Sequence, residues 1–172
     1  PNIKFCISDI TKFSETNKFD LIVCIDVLEH IKDQAKVIRN FRNALVPGGY
    51  LYLHMPAKRY RPVPFSRLLK SFHEWAEKEH IGKMFDKKGL EDLLITHGLE
   101  VQISRYTFSY CAEELAVSLF NLFFENTKFN LLMQGILFPF CRVMCYADSI
   151  LSRKIGFGLA ILARKPTQYN VS

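Results

Sequence analysis

The run Phe19-Asp20-Leu21-Ile22-Val23-Cys24-Ile25 constrains the fold more than any other segment. It is apolar throughout except at Asp20, the pattern of a strand covered on both faces by helices. Asp26 stands at its carboxyl end. From Asp33 the period changes. Val37, Ile38, Phe41, Ala44 and Leu45 recur at three- and four-residue steps, with Lys36, Arg39, Asn40 and Arg42 on the other side, which predicts an amphipathic helix with Asp33 as its N-cap. Pro47-Gly48-Gly49 ends that helix and turns the chain into a second strand, Tyr50 to Met55. Strand, helix and strand at this spacing make a parallel crossover, so the chain reads as α/β.

The flanks fit the same class. Ile3, Phe5 and Ile7 alternate with Lys4, Cys6 and Ser8, which predicts a strand ending at Asp9. Because the first residue is Pro1 and this strand follows at once, the chain is expected to open partway through a fold. Asp86 is the expected cap of a helix carrying Leu90, Leu93, Leu94 and Ile95 inward and ending at His97-Gly98. Glu100 to Thr107 and Phe157 to Arg164 read as strands. A length of 172 residues, 49% of them hydrophobic, suits a single domain. Its expected parts are a core over 1–111, a helical apolar insert over 112–153 and a final strand over 154–166.

The insert is rich in Leu and Phe, yet Glu125, Lys128, Gln134, Pro139 and Arg142 interrupt it too often for a membrane span. Helices packed over the sheet edge, a lid over an apolar substrate, and a surface that touches a membrane peripherally are its alternative readings. The net charge of +6 is spread widely and enriched only between Lys58 and Lys88, which reads as a solvated face rather than a phosphate-binding patch. Five cysteines without a C-x-x-C pair argue against a disulfide scaffold and favour a reducing, cytoplasmic setting.

Taken in order, Ser8-Asp9-Ile10, then Phe19-Asp20-Leu21-Ile22-Val23 with Asp26-Val27-Leu28-Glu29-His30, then Leu45-Val46-Pro47-Gly48-Gly49, resemble the central motifs of class I S-adenosylmethionine-dependent methyltransferases, of the kind that modify small molecules (types 11 and 12). The resemblance implies a Rossmann-like, doubly wound sheet with the cofactor, S-adenosylmethionine, across the carboxyl ends of its strands. It implies that Asp9 and the Ile10 amide meet the adenine, that Val27 and Leu28 offer it apolar contact, and that the Ile25 carbonyl and the Asp26 carboxylate lie near the ammonium of the methionine moiety. The competing reading of Asp9 is a turn cap. His30 would face the acceptor as a general base, or merely cap and pack. Asp26, Glu29 and His30 also resemble a pattern with which some quinone-pathway O-methyltransferases hold a divalent metal, although the same pattern is common without one. His73, Trp75 and His80 are the candidates on the substrate side, and Glu79-His80 through Phe85 resembles the segment placed over the active site in such enzymes, although His80 has the competing reading of a cap for the following helix. The glycine-rich loop that begins the family's cofactor site is missing, since Gly156-Phe157-Gly158 precedes a strand instead of following one.

Nucleic acid is not the expected acceptor. After the strand the sequence has Asp26-Val27-Leu28-Glu29 where base methyltransferases have a Pro-Pro-aromatic grip, and no cysteine follows a proline. The expectation is direct methyl transfer to a small, apolar acceptor. Its rival is a non-catalytic interaction or membrane-docking module on the same core. Unpaired strand edges would also favour a homo-oligomer.

Overall fold

The computed structural model describes residues 3–58, 81–107, 139, 142–143, 146, 156 and 158–167. Strand β1 (Phe19–Ile25), helix α1 (Gln34–Ala44), strand β2 (Leu45–Pro56), helix α2 (Lys87–Thr96), strand β3 (Glu100–Thr107) and strand β4 (Gly158–Arg164) follow one another along the chain. Among the described residues they form one sheet in the order β1-β2-β4-β3. β1 and β2 are parallel, as a crossover through α1 requires, while β4 runs antiparallel to both of its neighbours.

The helix ends obey local rules. Asp33 caps α1 by accepting from the Lys36 amide at 3.1 Å, and Asp86 caps α2 by accepting from the Gly89 amide at 2.8 Å. Gly98, at φ +76°, takes the left-handed conformation that closes α2. Val37, Ile38, Phe41 and Ala44 form the buried stripe of α1, and Leu90 and Leu94 that of α2. Both stripes join one core with Leu51, Leu53 and Met55 of β2 and Leu159, Ile161 and Ala163 of β4. Removing each of the valine, leucine, isoleucine, phenylalanine and methionine side chains among them from water stabilises the fold by about 1.5–3 kcal/mol.

Four expectations are corrected. Ile3 to Ser8 is irregular rather than a strand, with Ile3, Phe5 and Ile7 exposed. Alternation makes a segment able to pair, but a strand exists only where a neighbour supplies the ladder, and none of the described strands does. β1 is covered on one face only: Cys24 is buried, whereas Leu21, Val23 and Ile25 are about half-exposed. β2 begins at Leu45, so Pro47-Gly48-Gly49 lies inside the strand as a bulge opposite Phe19 and Leu21. Gly48 adopts φ +83° there, and the Gly48 amide and Gly49 carbonyl are both satisfied by the backbone of Lys165. Ile95 points outward, because a 100° step from buried Leu94 leaves the apolar stripe.

Lys165 is buried beside that bulge, its ammonium donating to the Asn17 side chain at 2.8 Å and the Leu45 carbonyl at 2.7 Å. Burial, and then the nearby Arg42 charge, lower its pKa. The insert expected over 112–153 lies outside the described residues apart from isolated positions, and so do Phe157, His73, Trp75 and His80.

Candidate functional site

The carboxyl ends of β1 and β2 are adjacent because the strands are parallel and in register, Ile25 opposite His54. An open parallel edge of this kind is where α/β sheets bind ligands. Immediately beyond β1, Asp26 adopts φ +50°, a left-handed conformation that few residues other than glycine take. Its amide donates to the His54 carbonyl at 3.0 Å, and its carboxylate lies 2.9 Å from His54 Nδ1. The far ring nitrogen of His54 is 2.9 Å from the Thr107 hydroxyl at the end of β3. Asp26 is the open member of this chain, its side chain 55% exposed against 13% for His54. Ile25, Asp26 and the partly exposed Val27 thus share one tip of the sheet.

After Val27 a 3₁₀ turn, Leu28–His30, divides its side chains. Leu28 points into the core, while the His30 imidazole stays 43% exposed. Glu29 is buried to 1% exposure, and its Oε2 has no hydrogen-bond partner. Burial, reinforced by the Asp26 charge, raises the Glu29 pKa above its usual value. The folded protein therefore holds this proton more tightly than the unfolded chain. Stability from that proton is complete below the ordinary carboxyl pKa and is lost as pH rises through the raised one. Urea unfolding at pH 5 and pH 8 should accordingly find that Glu29→Gln gains stability relative to wild type at the higher pH. An unchanged difference between the two pH values would refute the raised pKa.

Cys24, next to this turn, is driven up to about 11, by burial first and then by the charges of Glu29 and Asp26. At neutral pH it is a protonated, inert thiol. Among the described residues no three His, Cys, Asp or Glu side chains converge on a point that could hold a metal ion. Asp26, Glu29 and His30 are adjacent in sequence, yet Asp26 is engaged by His54 and Glu29 is turned inward.

Asp9 and Ile10 belong to a different turn, the one before β1. The Asp9 carboxylate caps a 3₁₀ turn, Ile10–Lys12, by accepting from the Thr11 amide at 2.9 Å and the Thr11 hydroxyl at 2.7 Å. Those two bonds, hydroxyl before amide, lower the Asp9 pKa. The turn is tied to α1 through Asn40, which donates to the carbonyls of Ile10 and Thr11. Ser8 and Ile10 line an apolar cavity of about 340 Å³ with Phe13, Phe19, Leu21, Ile22 and Phe41. The structure joins Ile25, Asp26, Val27 and His54 at one strand tip, while Asp9 and Ile10 lie in the turn that precedes β1.

His54 escaped the sequence reading because Leu51-Tyr52-Leu53-His54-Met55 looks like an ordinary half-buried strand. The signal was a lone imidazole at the carboxyl end of an apolar strand next to the Asp26 strand. Glu29 was read as part of a polar motif, whereas the tight turn aims it inward.

A profile of the methyltransferase domain family matches residues 3–103. The chain belongs to that family. A ubiquinone biosynthesis O-methyltransferase of Coxiella burnetii (strain Dugway 5J108-111) is 27% identical over 89 residues, 46% of this chain and 38% of that protein. One of Neisseria meningitidis serogroup C (strain 053442) is 24% identical over 112 residues, 57% of this chain and 46% of that protein. The chain thus spans less than half the length of these relatives. Among solved structures, phosphoethanolamine N-methyltransferase 2 of Haemonchus contortus with S-adenosylhomocysteine superposes with TM-score 0.60 at 17% identity, over 93% of this chain and 36% of that one. The [4+2]-cyclase SpnF superposes with TM-score 0.54 at 21% identity, over 95% of this chain and 57% of that one. These likenesses fix the class I, Rossmann-like methyltransferase fold, and the cyclase among them is a reason to argue activity from the site.

Proposed function

We propose that this chain carries the strand-tip half of an S-adenosylmethionine site and that the protein transfers a methyl group to a small acceptor. The observation that carries the reading is the carboxyl tip of β1, where Asp26 projects an exposed carboxylate at φ +50° beside the partly exposed Val27. The donor set fits the cofactor: an anionic group suits an ammonium, and an apolar residue next to it suits a purine. When bound, the cofactor supplies an electrophilic methyl on a sulfonium with a neutral thioether as leaving group. Asp26 then orients the amino-acid end, and Val27 excludes water from the adenine. His30 takes the proton of an acceptor hydroxyl as its oxygen gains the methyl, a role supported by its partial exposure in the turn after Val27. Most of the rate comes from holding the two reactants in line.

The half-exposed Asp9 side chain gives Oδ1 to Thr11 and keeps an Oδ2 that pairs only loosely with Lys12 at 3.5 Å, so it retains acceptor capacity for an adenine amino group. An oxygen acceptor draws support from the O-methyltransferase relatives, and an apolar one only from the composition of 112–153. The rival, an interaction module without catalysis, draws on the half-exposed Leu21, Val23 and Ile25. No helix among the described residues is long and apolar enough to cross a membrane.

Calorimetric titration with S-adenosylhomocysteine of the chain extended upstream, with the glycine-rich half of the site in place, separates the two readings. The enzyme reading expects saturable binding by wild type and a loss on the order of tenfold or more in Asp26→Ala, as befits a charged hydrogen bond. Absence of binding by the wild-type protein would favour the module.

A further inference from the structure

Asp26 is the residue on which the proposed site turns, and its geometry is not self-supporting. A non-glycine residue at φ +50° costs roughly 1–2 kcal/mol, and a half-exposed carboxylate has several rotamers open to it. His54 contacts it twice. The His54 carbonyl takes the Asp26 amide at 3.0 Å, and the imidazole meets the Asp26 carboxylate at 2.9 Å. We propose that His54 is a positioning residue that sets the Asp26 carboxylate, leaving its second oxygen free to read a cationic ligand group such as the ammonium of the cofactor. This rests on Asp26 being a binding residue, as argued above.

The imidazole is itself anchored. An ionised carboxylate only accepts, so the ring carries a proton on Nδ1 and donates it to Asp26. The far nitrogen meets the Thr107 hydroxyl at 2.9 Å. In the Nδ1–H tautomer that nitrogen accepts, so Thr107 donates to His54 and His54 donates to Asp26. Strand pairing explains how a residue of β2 reaches one of β3 across β4. His54 lies opposite Ala160, and Thr107 lies opposite Gly158, two residues along the same face. Gly158 leaves that path open, because a Cβ there would sit 2.8 Å from His54 Nε2 and collide with the Thr107 hydroxyl. The gap, the partly buried imidazole and the strained aspartate form one device spanning β1 to β3.

The test uses S-adenosylhomocysteine affinity of the chain extended upstream with Asp26→Asn, His54→Phe, His54→Asn and the double variant Asp26→Asn with His54→Phe. Phenylalanine keeps the bulk of the ring and loses the donor, whereas asparagine loses the bulk and keeps a donor where Nδ1 stood. Positioning predicts that His54→Phe weakens binding on the order of tenfold, that His54→Asn restores most of it, and that the double variant binds no worse than Asp26→Asn alone. A packing role predicts the reverse order of the two His54 variants and additive losses, and would overturn the proposal. Wild-type affinity in Asp26→Asn would sink the Asp26 assignment itself, whereas loss there with normal affinity in His54→Phe would sink only the role of His54. Nitrogen chemical shifts of the imidazole read the geometry without any ligand. They should show the Nδ1–H tautomer in wild type, and finding the Nε2–H tautomer would refute the bond to Asp26.

Discussion

Leu53→Ala is expected to lower the free energy of unfolding by about 2–5 kcal/mol, the range for deleting a fully buried leucine. For a chain of 172 residues that corresponds to a fall of roughly 5–15 °C in thermal midpoint. The size follows from where Leu53 sits. It is the middle of the row Leu51, Leu53 and Met55, all with no exposed surface, on the face of β2 that carries the core. Its ladder partners are Cys24 on β1 and Ile161 on β4, both also buried. A cavity there is walled by hydrogen-bonded strands on both sides, which cannot close in as a loop or a helix end could. Differential scanning calorimetry of the variant beside Ile95→Ala checks the contrast. Ile95 is the exposed member of its helix, and its truncation should cost a few tenths of a kcal/mol, as surface changes do. Equal losses would mean that the core lies elsewhere.

That contrast marks where the sequence was legible and where it was not. Asp33 and Asp86 were readable as caps because capping is settled within three or four residues of chain. The parallel pair β1 and β2 was readable because an apolar run, a helical period and a second apolar run at this spacing leave one topology. Ile3 to Ser8 failed on the other side of that line: its alternation was right for a strand, but a strand needs a neighbour and the described sheet offers it none. The bulge at Gly48 and Gly49 depends on Lys165, more than a hundred residues away in sequence, which no local pattern records. The site divides in the same way. Asp26 was legible from its place after an apolar strand, whereas the grip of His54 and Thr107 on it arises only when β1, β2, β4 and β3 are laid side by side. The inward turn of Glu29 follows from a single turn of 3₁₀ helix, where a shift of one residue exchanges core for solvent.

The same distant pairing governs the second large effect. Gly82→Ala is expected to destabilise the protein by about 1–3 kcal/mol, the cost of forcing atoms into a packed interior. The added methyl would lie 2.6 Å from both Gln34 Nε2 and the Ile31 carbonyl, and 2.8 Å from the Glu29 carbonyl. None of these atoms yields cheaply. The Gly82 amide already donates to the Glu29 carbonyl at 2.8 Å. The buried Gln34 amide staples the same turn to the following residue, donating to the carbonyls of Leu28 and Lys83 at 3.0 and 2.9 Å and accepting from the Lys83 amide at 3.1 Å. Relief must come from moving the 28–31 turn, which carries His30 and the buried Glu29. Gln34→Ala alone should also destabilise, since it strands buried backbone groups that the amide had satisfied. The double variant should lose less than the sum, because without Gln34 one of the two closest clashes is gone and the turn is already loosened. Unfolding free energies of the four proteins decide it. Strict additivity would mean that Gly82 and Gln34 do not meet, and that the segment leading into α2 is not fastened to the turn beyond Asp26.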